Sequence, residues 1–164
     1  AKNSIMNRSF YLIIPETAHI ENQIAICNEK LENLRLKVKR LERGWAGHFI
    51  CSSKCRFRRN TLLDNGRVKV VVSTVGLMES HWTKESSFYK GEFDTIGIDR
   101  YYETMAFFAA NDKYFDADVT KQIYFDSKWA INEIDAELEA NKMHENVVTE
   151  LTKKLEKDEI INEN

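Results

Sequence analysis

The triplet Asp64-Asn65-Gly66 constrains this chain more than any other feature. It separates two strand-like runs, Arg56–Leu63 and Arg67–Val75. Asp, Asn and Gly tolerate the left-handed backbone that tight hairpin turns require, so the spacing predicts two antiparallel strands joined here. The second arm holds Val68, Val70, Val71, Val72 and Val75. That density of branched apolar residues predicts a strand at the centre of an antiparallel sheet that is covered on one face. Strand-like stretches recur at about Asp94–Ile98, Tyr101–Phe108 and Lys121–Phe125. A polar loop over 79–92 and an acidic loop over 111–118 lie between them. A short strand is also expected over 9–14, ended by Pro15.

Helices are expected at the two ends. Pro15 suits a helix entry, and a long helix is expected from about Thr17 to Arg43 with Gly44 as its cap. Ile20, Ile24, Cys27, Leu31, Leu34, Val38, Leu41 and Trp45 step by alternating fours and threes, a heptad stripe. Such a stripe serves a helix lying on a sheet or a second helix. It equally serves a homodimer through the 20–45 seam. A second helix is expected from about Lys128 to Asp158, capped by Ser127. Its stripe runs through Ala130, Ile134, Leu138, Asn141, Val148, Leu151 and Leu155, with a kink near Asn141–His144. The expected class is α+β: one domain over 1–164, an antiparallel sheet of about four to five strands over 47–126, and a long helix at each end.

Charge is unevenly spread. Residues 30–69 hold twelve Lys and Arg against three acids, while the whole chain is net −2. A field this lopsided speeds encounter with charged partners and specifies no chemistry. The candidate contact residues are Lys54, Arg56, Arg58 and Arg59 on the first hairpin arm, Arg40 and Arg43 upstream, and Trp45 and His48 beside them. On a regular strand Arg56 and Arg58 share one face and Phe57 and Arg59 the other. Arg interleaved with aromatic rings suits phosphate contact and base stacking. The same residues could instead meet an acidic protein surface, or protect a strand edge. Trp82 and Trp129 read as core anchors, and His19 and His144 as helix-surface or helix-boundary residues.

Three cysteines exclude a dense disulfide framework and suit a reducing, cytoplasmic setting. No secretory leader and no membrane span is read in the sequence. His48, Cys51 and Cys55, with His81 as a fourth ligand, form a possible zinc set, although the second Cys-x-x-Cys knuckle is missing. Otherwise the two cysteines are partly buried thiols, made reactive if they stand beside the arginines. Asp94, Asp99, Asp116, Asp118, Glu92 and Glu103 are the residues a metal-dependent hydrolase would use. Phosphate-cradling glycine loops and nucleophile elbows are absent, so no cofactor and no catalytic residue is assigned.

The segments Gly44-Trp-Ala-Gly-His-Phe-Ile-Cys51, Cys55-Arg-Phe-Arg-Arg-Asn-Thr-Leu-Leu63, Val71-Val-Ser-Thr-Val-Gly76, Arg100-Tyr-Tyr-Glu-Thr-Met-Ala-Phe107 and Asp116-Ala-Asp118 together resemble a family of small phage and prophage proteins. The resemblance implies an accessory protein that acts by binding, such as an anti-CRISPR-like inhibitor. The leading expectation is therefore a stoichiometric inhibitor, not an enzyme, of a host protein or ribonucleoprotein complex that handles nucleic acid or serves defence. A direct DNA- or RNA-binding protein using residues 30–69 is the alternative, and the metal-dependent hydrolase a third.

Overall fold

The turn at Asp64-Asn65-Gly66 organises the sheet. In the computed structural model, which describes residues 14–35, 38–43, 47–48, 51–124 and 126–161, strand β2 (Cys55–Asp64) pairs antiparallel with β3 (Lys69–Glu79). The Asn65 carboxamide oxygen accepts from the backbone N–H of Arg67 and Val68, and the Asp64 carboxylate accepts from that of Gly66. Gly66 sits at φ 86°, where a side chain would be strained. Two units, 1–36 and 37–164, are each described by themselves.

The first unit contributes helix α1 (Ile14–Arg35). Pro15 stands in its first turn, where a missing N–H costs nothing. The helix is shorter than the heptad stripe predicts. Lys39–Glu42 is strand β1, paired with β2 in the register Lys39↔Asp64 to Glu42↔Thr61. Residues 39–42 gain a backbone ladder, Arg40 gains Glu145 as a partner, and Glu42 gains Arg59. Those tertiary gains override a local period that would have continued the helix. The stripe beyond Leu34 is thus split: Val38 is buried in the core of the second unit, and Leu41 is exposed on β1. The expected strand over 9–13 and the residues Gly44 and Trp45 lie outside the described residues; Ile14 belongs to the helix.

The second unit is α+β, with seven described antiparallel strands, larger than the expected sheet. The main order is β1-β2-β3-β5-β6, with β5 at Tyr102–Ala109 and β6 at Ala117–Tyr124. Two-residue strands β4 (Phe93–Asp94) and β7 (Ala130–Ile131) add to β3 and β5. Helix α2 spans Glu137–Glu156 and covers one face. It starts later than expected, because 127–129 forms a single 3-10 turn held by the Asp126 carboxylate and β7 follows. It has no break at 141–144: Ala140, Met143, His144, Val147, Val148, Leu151 and Leu155 form one buried stripe, while Leu138 is exposed. On the sheet face opposite α2, His48 N–H donates to the Ser73 hydroxyl. Arg43, just past β1, donates to the carbonyl of Tyr114 in the turn between β5 and β6. Val70 to Met78 are buried throughout, so β3 is covered on both faces and not on the one face expected.

Two details position the residues discussed below. Gly76 faces the ring of Tyr102, which is fully buried, packs edge-on against Phe57 and donates its hydroxyl to the carbonyl of Ile134. A Cβ on Gly76 would lie 2.2 Å from that ring. Next to it, Leu77 adopts φ 52° and the β2–β3 ladder omits the Arg56–Leu77 pair. The regular alternation of β2 therefore fails at Arg56. Among the described residues no helix is long and apolar enough to cross a membrane.

Candidate functional site

Four of the cations expected to form a contact surface are engaged inside the molecule. Arg56 donates to Glu79 at 3.1 Å and Glu92 at 2.6 Å, and its guanidinium lies 4.8 Å from the centre of the Phe93 ring. Arg59 reaches Glu42 at 3.1 Å and Glu145 at 2.8 Å. Arg40 donates to both oxygens of Glu145 and to Glu42. Arg43 donates to the Asn60 carboxamide as well as to Tyr114. Hydrogen bonds from Arg40 and Arg59, with their charges, pull the Glu145 carboxyl down to about 2 against its partial burial. Burial works against ionised Glu42, but bonds from Arg59, Thr61 and Arg40 outweigh it and hold its carboxyl below the usual range.

An unneutralised arginine cluster was the expectation, and the fold corrects it. Sequence proximity put the cations together. Long-range pairing then spends them on acids from 79, 92 and 145. Arg56 and Arg58 also part company. Arg56 lies with Phe93 and the start of α2, whereas Arg58, opposite Val75, stays exposed with no ion pair among the described residues. Lys54 is exposed in the turn before β2.

Beneath the Arg40–Glu42–Arg59–Glu145 network runs a buried polar chain. His144 is fully buried, with Nε2 2.7 Å from Thr61 Oγ1 and Nδ1 2.7 Å from Thr74 Oγ1. Thr74 Oγ1 is 2.6 Å from Thr104 Oγ1, and the Thr61 hydroxyl donates to Glu42 at 2.8 Å. The carboxylate can only accept, which fixes every proton in turn. Thr61 gives its proton to Glu42 and so accepts from Nε2–H. Nδ1 then accepts from Thr74, which accepts from Thr104. Histidine is neutral in this chain. Burial, reinforced by the Arg59 charge, drives its pKa down to about 4. The expectation that His144 lies on the helix surface or at its boundary is corrected, and its spacing from Ala140, Val147, Val148 and Leu151 was the available signal.

The zinc set is not brought together. His48 lies on the sheet face opposite α2, Nδ1 3.0 Å from Ser73 Oγ and Nε2 3.0 Å from Glu103 Oε1. Glu103 also meets Arg100 Nε at 2.9 Å. Cys55 is buried against Val75 and Met78, and its thiol donates to the Cys51 carbonyl at 3.9 Å. Burial pushes that thiol up to about 11, outweighing the Arg58 charge, so arginine proximity does not make it reactive. His81 is in the 80–92 loop, beside Asp94 at 3.6 Å. Among the described residues no three His, Cys, Asp or Glu side chains converge as a metal group. Asp112, Asp116 and Asp118 hold turns through nearby backbone N–H groups. Ser73 is fully buried.

The polar loop expected over 79–92 is the first part of a longer connection between β3 and β5, over 80–101, and what the residue pattern missed is the exposed aromatic pair on it. Connections of this length carry function more often than shorter ones. Its first part is ordered by Ser80 N–H to Glu92 O, Ser86 N–H to Thr83 O, Tyr89 N–H to Ser86 O, and His81 N–H to Asp94. Arg56 fastens its far end through Glu92. On this frame Trp82 is 48% exposed and Phe88 64% exposed, with ring centres 4.9 Å apart. Ile98, at the tip of the next turn, is 90% exposed. Trp129 is a core residue as expected; Trp82 is not. Comparison of the chain with models of known families, with curated proteins and with solved structures found no match.

Proposed function

We propose that this protein acts by stoichiometric contact with another protein, as an inhibitor of a host defence or nucleic-acid-handling complex, and that the 80–101 connection makes the contact. The observation that carries this reading is the ordered Trp82–Phe88 pair held in solvent. Large aromatic side chains on a preorganised loop supply contact area at small entropic cost, and Trp is the residue most enriched among interface hot spots. Cancellation of Arg40, Arg56 and Arg59 by Glu42, Glu79, Glu92 and Glu145 argues in the same direction, because phosphate binding needs free cations. The phage-family resemblance supplies the class of target.

Two measurements separate the readings. Affinity capture from host lysate with the wild-type chain and with a Trp82→Ala/Phe88→Ala variant should yield one complex in fixed ratio to the wild type and lose it with the variant. A gel shift with single- and double-stranded DNA and with RNA, across a salt series, should give no tight complex. Tight binding of bare nucleic acid that collapses with salt would replace this reading with direct nucleic-acid binding. Binding to the same partner unaffected by the double substitution would remove the loop from it.

A further inference from the structure

We infer that α1 is a self-association element that pairs antiparallel with the α1 of a second copy. Ile14–Arg35 is a helix of 22 residues, about 33 Å long at 1.5 Å per residue. Every side chain described in it, from Thr17 to Asn28, is exposed. Ile20 is 57% exposed and Ile24 54% exposed, and Cys27 is exposed beside them. Most of the stability of a helix in a protein comes from packing of its apolar face, so α1 gains from having this stripe covered.

The spacing names the kind of cover. Ile20, Ile24, Cys27, Leu31 and Leu34 step by 4, 3, 4 and 3, a period of 3.5. That repeat keeps a seam facing another helix, whereas a stripe of period 3.6 suits a straight helix on a sheet. In heptad terms Ile24 and Leu31 are a positions, and Ile20, Cys27 and Leu34 are d positions. The residues flanking the seam are then Glu16, Gln23 and Lys30 at g, and Glu21, Asn28 and Arg35 at e. Acids flank its first half and bases its second half.

That asymmetry selects the orientation. In a parallel pair each g position meets the next e position of the partner, setting Glu16 against Glu21 and Lys30 against Arg35. Both contacts join like charges. In an antiparallel pair the acid-flanked half of one helix lies along the base-flanked half of the other, twice by symmetry. The surface is self-complementary, as a two-fold interface requires. The antiparallel register that overlaps the two helices most fully sets Ile24 of one copy level with Cys27 of its partner. This inference is independent of the aromatic loop and stands or falls apart from it.

The test uses the full chain. Sedimentation equilibrium at tens of micromolar should give the mass of two chains, and Ile24→Asp should give one chain while keeping the near-ultraviolet spectrum of the folded second unit. An Ile24→Cys variant, oxidised gently and mapped by mass spectrometry, should yield a peptide linking residue 24 to Cys27 of the partner. A monomeric wild type overturns the inference. A dimer whose mass is unchanged by Ile24→Asp overturns it too, and so does an Ile24→Cys dimer linked only 24 to 24 and 27 to 27, the pattern of parallel helices in register.

Discussion

Acid should weaken this fold through one histidine. His144 must stay neutral to accept from Thr74 at Nδ1, and burial lowers its pKa from the ordinary 6.5 to about 4. In the unfolded chain the same imidazole takes up a proton below pH 6.5. The unfolded state therefore binds more protons between pH 6.5 and 4, and stability falls as pH falls through that window. Above pH 6.5 the contribution is fully present. The full shift corresponds to about 3 kcal/mol, of which about 2 kcal/mol is already lost at pH 5. The assay is urea unfolding followed by tryptophan fluorescence from pH 7.5 to 4.5, with His144→Gln as the comparison. Glutamine cannot titrate, so the variant should be less stable at neutral pH and should lack most of the slope between pH 6.5 and 5. Glu145, whose carboxyl is held at about 2, adds its own loss only at lower pH, as pH falls below 4.5. A wild type with flat stability from pH 6.5 to 5, or a variant with the same slope, would refute the reasoning.

Other perturbations follow from named contacts. Gly76→Ala forces a methyl into the Tyr102 ring and should cost about 1–3 kcal/mol in chemical unfolding, where the same change at an exposed strand position would cost little. Native-state alkylation at pH 8 should leave Cys55 unmodified until the protein unfolds. Arg59→Ala leaves Glu42 and Glu145 short of a partner and should cost about 1–2 kcal/mol, whereas Arg58→Ala should stay within about 0.5 kcal/mol.

What the sequence disclosed follows the range of the forces involved. The hairpin at Asp64-Asn65-Gly66 was legible because turn chemistry is local, and the central β3 because five valines leave few alternatives. The α+β class was legible from the same local patterns. The end of α1 was not, since Val38 and Leu41 extend a helical stripe by coincidence while backbone pairing to Leu62 and Leu63 decides the outcome. Nor was the fate of the arginines. A count over 30–69 registers twelve cations, but the acids that pair with them come from residues up to 105 positions away. His144 looked like a fault in an apolar stripe because its partners, Thr61 and Thr74, are hydroxyls on two strands that only the fold brings beneath it. Trp82 illustrates the opposite error. Its residue type argues for burial, yet it stands exposed beside Phe88 on the hydrogen-bonded 80–92 loop.

The account rests on where the contact surface lies. The most direct measurement is a titration of the captured partner against two double variants, Trp82→Ala/Phe88→Ala and Lys54→Ala/Arg58→Ala, side by side at physiological salt. The aromatic pair should lower affinity by at least about 30-fold, as loss of a hot spot worth about 2 kcal/mol implies, and the cation pair by less than about fivefold. The reverse order, with the exposed cations dominant and the loop silent, would contradict the account.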